Sequence, residues 1–482
     1  MRTDSPRARW AGLVLAMALL STGCVSLTPS PGRGMHLRYM PREAAAPMSV
    51  AGAAGDAVPR NAAEPARQSP MVAHLALLGA VGDVSRSTRR ISGELSRLKD
   101  SKVGISGRHA DLFVPLVDHG ERQLRWIDAE LAAATRLSNT ASEVDDPDMA
   151  LALLRLSGPR LEAAMLGSLL IAVWLDFLNL ADVVLAQCPY YSVERLFRKM
   201  RQLQEMMEPA MTAFSSLEPG QVEAAAADLP VLMGHFTGEF AATREAVRVA
   251  ARQFEKALVV KELIEMLTTA SAMKMALPRL LPPAAPATLG VGLVVGSNGV
   301  MMSTRIVVTA EWVEMMRRLV QAGVISLPAV NAAVRIHAGQ VLMSDSNQDL
   351  PRGVRDALGD GPEVRGMRVT GRAGAGMAEP PQHHVLPREF REWFEKRGFT
   401  DEMSIDQFCV RMEQAKHEAL HGGGNWRLGR TWPGEWNQMI METLRDAETR
   451  AGRMLTPTEI LDTVGFHMRR NKIPMHFTPW RR

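Results

Sequence analysis

The chain has 482 residues, a formal net charge of +4, 46% hydrophobic residues and three cysteines. That length exceeds one ordinary hydrophobic core and sets an expectation of two or three domains. Three cysteines exclude a disulfide framework, and so small a net charge on so long a chain neither indicates nor excludes nucleic acid as a partner.

At the N-terminus Arg2, Arg7 and Arg9 precede an uncharged apolar run from Ala11 to Leu20. The run is about half of the roughly 20 residues a spanning helix needs, which suits the apolar part of a signal peptide. It ends in Leu20-Ser21-Thr22-Gly23-Cys24. This resembles a lipobox, with Ser21 where leucine is usual. The expectation is removal of residues 1–23 and a covalent lipid on Cys24. Two or three acyl chains, at roughly 0.8 kcal/mol per buried CH2, hold a protein on a membrane without a spanning helix. Val25 follows the cysteine in place of Asp, so the usual inner-membrane retention signal is missing and the expected site is the outer membrane.

Residues 24–68 are rich in Ala, Pro, Arg and Gly without an apolar period, the composition of a flexible tether. Residues 69–340 turn to Ala, Leu, Met, Val and Arg at helical spacing, with Ile91, Leu95 and Leu98 on one face. A break is expected at Cys188-Pro189-Tyr190-Tyr191, with Ser192 as the cap of the next helix. Helices are also expected through Val193 to Met207 and through Val231 to about Met275. Ala163 to Ala186 is long enough to span a bilayer, but Asp176 and Asp182 would each cost roughly 2.5–3.5 kcal/mol near its centre. A buried helix pair is expected there. Ala284 to Thr304 is uncharged yet interrupted by glycines, and Ser297-Asn298-Gly299 reads as a hairpin turn. The fold class expected is therefore mainly α. Glycine and proline then mark residues 341–378 as a linker, and residues 379–482 as a separate small module.

Six of the twelve histidines fall in the last 100 residues: His383, His384, His417, His421, His467 and His476. Pro380-Pro381 favours an extended backbone through His383-His384. Pro387 opens a short helix carrying Phe390, Trp393 and Phe394, which Gly398 can end. Ser404-Ile405-Asp406-Gln407 matches a capping box. It predicts a helix with Ile405, Phe408, Cys409 and Met412 on its apolar face, stopping at Gly422-Gly423-Gly424. His417 and His421 then lie one above the other in its last turns. Neutral imidazoles at this spacing are a common metal-binding geometry, and the negative pole of the helix end favours a cation.

His383-His384 followed by His417-x-x-x-His421 resembles the HNH (ββα-metal) nucleases at the ends of bacterial polymorphic toxins. Together with the lipobox, His383-His384-Val385-Leu386-Pro387, Trp393-Phe394, His421-Gly422-Gly423-Gly424 and Trp436-Asn437, it makes the chain similar to the Sit-type polymorphic lipoprotein toxins of myxobacteria. The resemblance implies a small α+β, ββα-metal-like module. It implies His384 as general base, and His383, His417 and His421 as ligands of one divalent ion, zinc or magnesium. It further implies a nucleic acid substrate in the cytoplasm of a recipient cell, transfer by outer-membrane exchange machinery, and a cognate immunity protein. The central Asn of the family has no counterpart between His384 and His417.

Other readings stay open. His417-Glu418-Ala419-Leu420-His421 is a literal H-E-x-x-H, in which Glu418 would be the general base of a zinc metalloprotease and Glu435 or Glu442 a third ligand. A non-enzymatic lipoprotein stabilised by zinc is the third reading. Trp426, Trp432 and Trp436 suit either base stacking or an aromatic core. Residues 378–482 carry 16 Lys and Arg against 15 Asp and Glu, so composition gives this module no basic character.

Overall fold

The structure is a computed structural model that describes residues 70–252, 287–290, 293–296, 299–302, 305–308, 310–338, 380–421 and 436–480. It is mainly α-helical. The expected signal peptide, Cys24, the expected tether and the expected 341–378 linker lie outside the described residues.

The body begins with α1 (Pro70–Asp100), α2 (Ala110–Glu143) and α3 (Pro147–Gln187), which pack on one another. In α1 the spacing of Leu77, Val84, Ile91, Leu95 and Leu98 gives one apolar face, and all five are buried. The 41-residue α3 is apolar all round, as befits a helix enclosed by others. It is long and apolar enough to cross a membrane by length and composition, yet 67% of its most apolar window is buried inside the protein. The expected buried pair is thus one unbroken helix. Asp182 remains within it because its carboxylate accepts the Ile105 amide hydrogen at 2.9 Å, satisfying a group that burial would otherwise penalise.

Cys188 closes α3, and the Ser192 hydroxyl accepts the Arg195 amide as the N-cap of α4 (Val193–Ser215), as expected. Then comes α5 (Pro219–Arg252); the rest of the stretch expected to reach Met275 lies outside the described residues. Strands β1 (Ala287–Gly290), β2 (Leu293–Gly296), β3 (Gly299–Met302) and β4 (Arg305–Val308) form an antiparallel meander. Gly296 pairs with Gly299 across a two-residue connection, the pairing expected of the hairpin read at Ser297-Asn298-Gly299. Helices α6 (Ala310–Gln321) and α7 (Leu327–Ala338) return to the body.

The C-terminal segment contains β5 (Gln382–His384), α8 (Arg391–Glu395), β6 (Cys409–Arg411), α9 (Gln414–Leu420), α10 (Trp436–Ala451) and α11 (Pro457–Arg470). It touches the body at polar points. Asp146 caps the N-terminus of α3 by accepting the Asp148 amide, and it also receives Arg469 of α11 at 2.9 Å. The Asp146 amide donates to Asp462 of α11. Gly465 permits this approach, since a Cβ there would come within 2.8 Å of the Asp146 carboxylate. On the other side Arg136 of α2 donates to Glu402.

Candidate metal centre

The site grows from an antiparallel pair of short strands followed by a helix. His383 faces Val410 and His384 faces Cys409 across the β5–β6 pair, and Val385 donates to the Phe408 carbonyl to extend it. Behind the strands runs a chain of edge-to-face rings, from Phe394 through Phe399 and Phe408 to Phe477, with centroids 5.2–5.8 Å apart. Gly398, at φ +91°, turns the chain from α8 into this core, as its expected capping role requires. Trp436 is buried and donates its indole N–H to the Val385 carbonyl. It is a core residue, not a platform for a nucleobase.

The single helix expected from Ser404 to Gly422 is not formed. Ser404 caps only a 3-10 turn, Ile405–Gln407, by accepting the Asp406 amide, and the chain then extends into β6 before α9 begins. Pairing with β5 supplies Cys409–Arg411 with non-local backbone partners that a local helical pattern cannot foresee. His417 still lies in α9, with His421 capping its C-terminus.

Three of the four expected histidines meet. Ligand nitrogens of His383, His417 and His421 all lie within 4.8 Å of one another. Nδ1 of His383 is 3.1 Å from Nε2 of His421. His383 is 1% exposed, and its Nε2 has no hydrogen-bond partner among the described residues. Burial, reinforced by the neighbouring imidazoles, pushes His383 down to about 3. The ring is therefore neutral, with one nitrogen lone pair to give. Three imidazole nitrogens this close together, with Nδ1 of His383 facing His421, suit a cation. This group can hold a metal ion.

His384, the next residue along β5, takes different neighbours, as successive strand residues do. Its Nε2 lies 3.0 Å from Oδ1 of Asp406, which also receives Arg391 at 2.7 Å. Burial alone would raise the Asp406 carboxyl, but Arg391 and His384 hold it below the usual carboxylate range. An ionised carboxylate can only accept, so Nε2 of His384 carries the hydrogen and Nδ1 keeps the basic lone pair. Burial also lowers His384 despite Asp406 beside it, and the imidazole is neutral near pH 7. The Trp480 ring lies against it with centroids 4.7 Å apart, fixed where the Trp480 amide donates to the Asp406 carbonyl.

Asp406 and Trp480 are the two residues sequence reasoning missed. Asp406 carried a signal, a carboxylate midway between the two histidine pairs, but the capping pattern absorbed it. Trp480 carried none. Glu418 lies within α9, and its side chain is outside the described residues, as are Trp426, Trp432, Glu435 and the three glycines. Glu442 is exposed on α10 and accepts from Gln438; in the H-E-x-x-H reading the third-ligand place falls to His383. Comparison with family models, with curated proteins and with solved structures finds no match.

Proposed function

We propose that the C-terminal module is a metal-dependent phosphodiesterase of the HNH (ββα-metal) kind, carried by an outer-membrane lipoprotein toxin anchored through Cys24. The observation that carries this reading is the strand–strand–helix order of β5, β6 and α9. It gathers His383, His417 and His421 and leaves His384 bonded to a carboxylate.

In this mechanism His383, His417 and His421 would hold one divalent ion. When bound, the ion supplies Lewis-acid stabilisation of charge developing on phosphate oxygens. The remaining steps belong to the chain's own groups. Asp406 fixes the His384 ring and its tautomer. Nδ1 of His384 takes the proton of the attacking water, and Asp406 stabilises the imidazolium that forms. Arg391 holds Asp406 ionised throughout, and Trp480 restrains the imidazole plane. The toxin reading adds delivery by outer-membrane exchange, action in a recipient cytoplasm and a cognate immunity protein. It is supported by the lipobox and by the histidine pattern at the opposite end of the chain.

The metalloprotease reading rests on His417 and Glu418 lying in α9 with His421 at its C-cap. The two readings place the base on different residues, and that separates them. The phosphodiesterase reading expects His384→Ala to lose about 100- to 10,000-fold in DNA or RNA cleavage with zinc still bound, and Glu418→Gln to keep most activity. Loss of activity and toxicity in Glu418→Gln, with His384→Ala fully active on a protein substrate, would establish the protease instead. A wild-type chain that binds zinc and cleaves neither polymer is the structural lipoprotein.

A further inference from the structure

Balanced charge counts hide an unbalanced placement. Several arginines of the module are spent on carboxylates: Arg397 on Glu448, Arg453 on Glu459 and Arg469 on Asp146. At the His384 face Arg391 is spent likewise on Asp406. Arg388, one turn earlier, is not. It is exposed, and among the described residues it has no carboxylate partner; its guanidinium lies 6.0 Å from the centre of the Trp480 ring. The other neighbour of that ring is the His384 imidazole. Trp480 thus has the His384 imidazole and an uncommitted guanidinium as neighbours, one residue along β5 from His383 of the three-histidine group.

We propose that Arg388 binds a phosphate of the substrate strand beside the His384 base. The inference rests on the phosphodiesterase reading and names a substrate contact within it. A guanidinium offers paired N–H donors that match two phosphate oxygens, and it is more weakly hydrated than an ammonium. Trp480 is a support for Arg388 and His384 and not a base-stacking platform, because the imidazole lies against it. The ligand recognised is the phosphodiester backbone, which DNA and RNA share; the probes tell the two apart.

The test uses the full-length chain, with fluorescent single-stranded DNA and RNA oligonucleotides, in chelator so that no cleavage occurs. Binding is measured across a salt series for wild type, Arg388→Ala and Arg388→Lys. Each lost phosphate contact lowers the slope of log affinity against log salt by about 0.7 of a unit on a single strand. Arg388→Ala is expected to lose that much slope on the preferred polymer, and Arg388→Lys to keep most of it. With metal restored, Arg388→Ala is expected to raise KM about tenfold while kcat stays within about threefold. Unchanged zinc stoichiometry in both variants controls for folding. If wild type binds and cleaves, yet Arg388→Ala keeps the wild-type slope and KM, Arg388 is not a phosphate contact and the phosphodiesterase reading survives. If wild type neither binds nor cleaves either polymer, the parent reading fails and this inference falls with it.

Discussion

In the helical body, buried polar side chains are answered by neighbours. His74 meets Ser138 at 2.8 Å, Thr88 donates to Asp128, and Asp182 receives the Ile105 amide. Ser87, Arg248 and Asn331 each leave one side-chain atom without a hydrogen-bond partner among the described residues, as His467 does in the C-terminal segment, and Oδ2 of Asp146 has only its ion pair with Arg469. In the C-terminal segment three imidazoles converge, with Nδ1 of His383 lying 3.1 Å from His421 and Nε2 of His383 without a hydrogen-bond partner among the described residues, while His384, next in sequence, has its Nε2 on Asp406. A buried unpaired polar atom costs free energy in either region. Three imidazole nitrogens within 4.8 Å of one another have no counterpart among the described residues of the body, and that contrast marks the C-terminal segment as the place to test for metal binding.

The contrast can be broken at its body side first. Trp174 is fully buried in α3, donates to the Leu116 carbonyl and meets His119 edge to face. If the body is a close-packed scaffold, Trp174→Ala should cost about 3–5 kcal/mol, read as an earlier denaturant midpoint by far-ultraviolet circular dichroism. Zinc binding by the module should persist at denaturant concentrations below the transition. A cost under about 1 kcal/mol would mean that the body is not packed as described.

A smaller effect sharpens the boundary between the two regions. Asp146 caps α3 and receives Arg469, so Asp146→Ala removes a helix cap and an anchor of the module together. The cap alone is worth about 0.5–2 kcal/mol; Arg469 is half exposed, and its pairing adds little to that. Hydrogen exchange should rise at both the start of α3 and in α11. A rise in α3 alone would show that the module does not depend on this contact.

How much of this was legible in the sequence follows from which forces are local. The face carrying Ile91, Leu95 and Leu98, the Ser192 cap and the Gly398 turn are all written within a few residues, and each was readable. His417 and His421 were readable for the same reason, since helical spacing alone brings them together. The extended backbone at His383-His384 followed from the prolines before it. What failed was the stretch from Ser404. Its apolar residues satisfy a helical period, but its backbone hydrogen bonds go to a strand more than 20 residues earlier. With β6 read as helix, Asp406 became a capping residue, and its pairing with His384 stayed hidden. Trp480 reaches the site through the same non-local strand, and no spacing rule connects it to His384. The balanced charge of the module was read correctly as a count; position near His384 is a property of the fold.

The central claim is that three imidazoles form a metal site. Its most direct measurement is the zinc stoichiometry of the chelator-stripped, full-length chain by equilibrium dialysis at neutral pH, compared with His417→Ala and His384→Ala. The account predicts one ion per wild-type chain, loss of that ion in His417→Ala, and retention in His384→Ala, whose partners are Asp406 and Trp480. No bound ion in the wild type, or equal binding in His417→Ala, would contradict it.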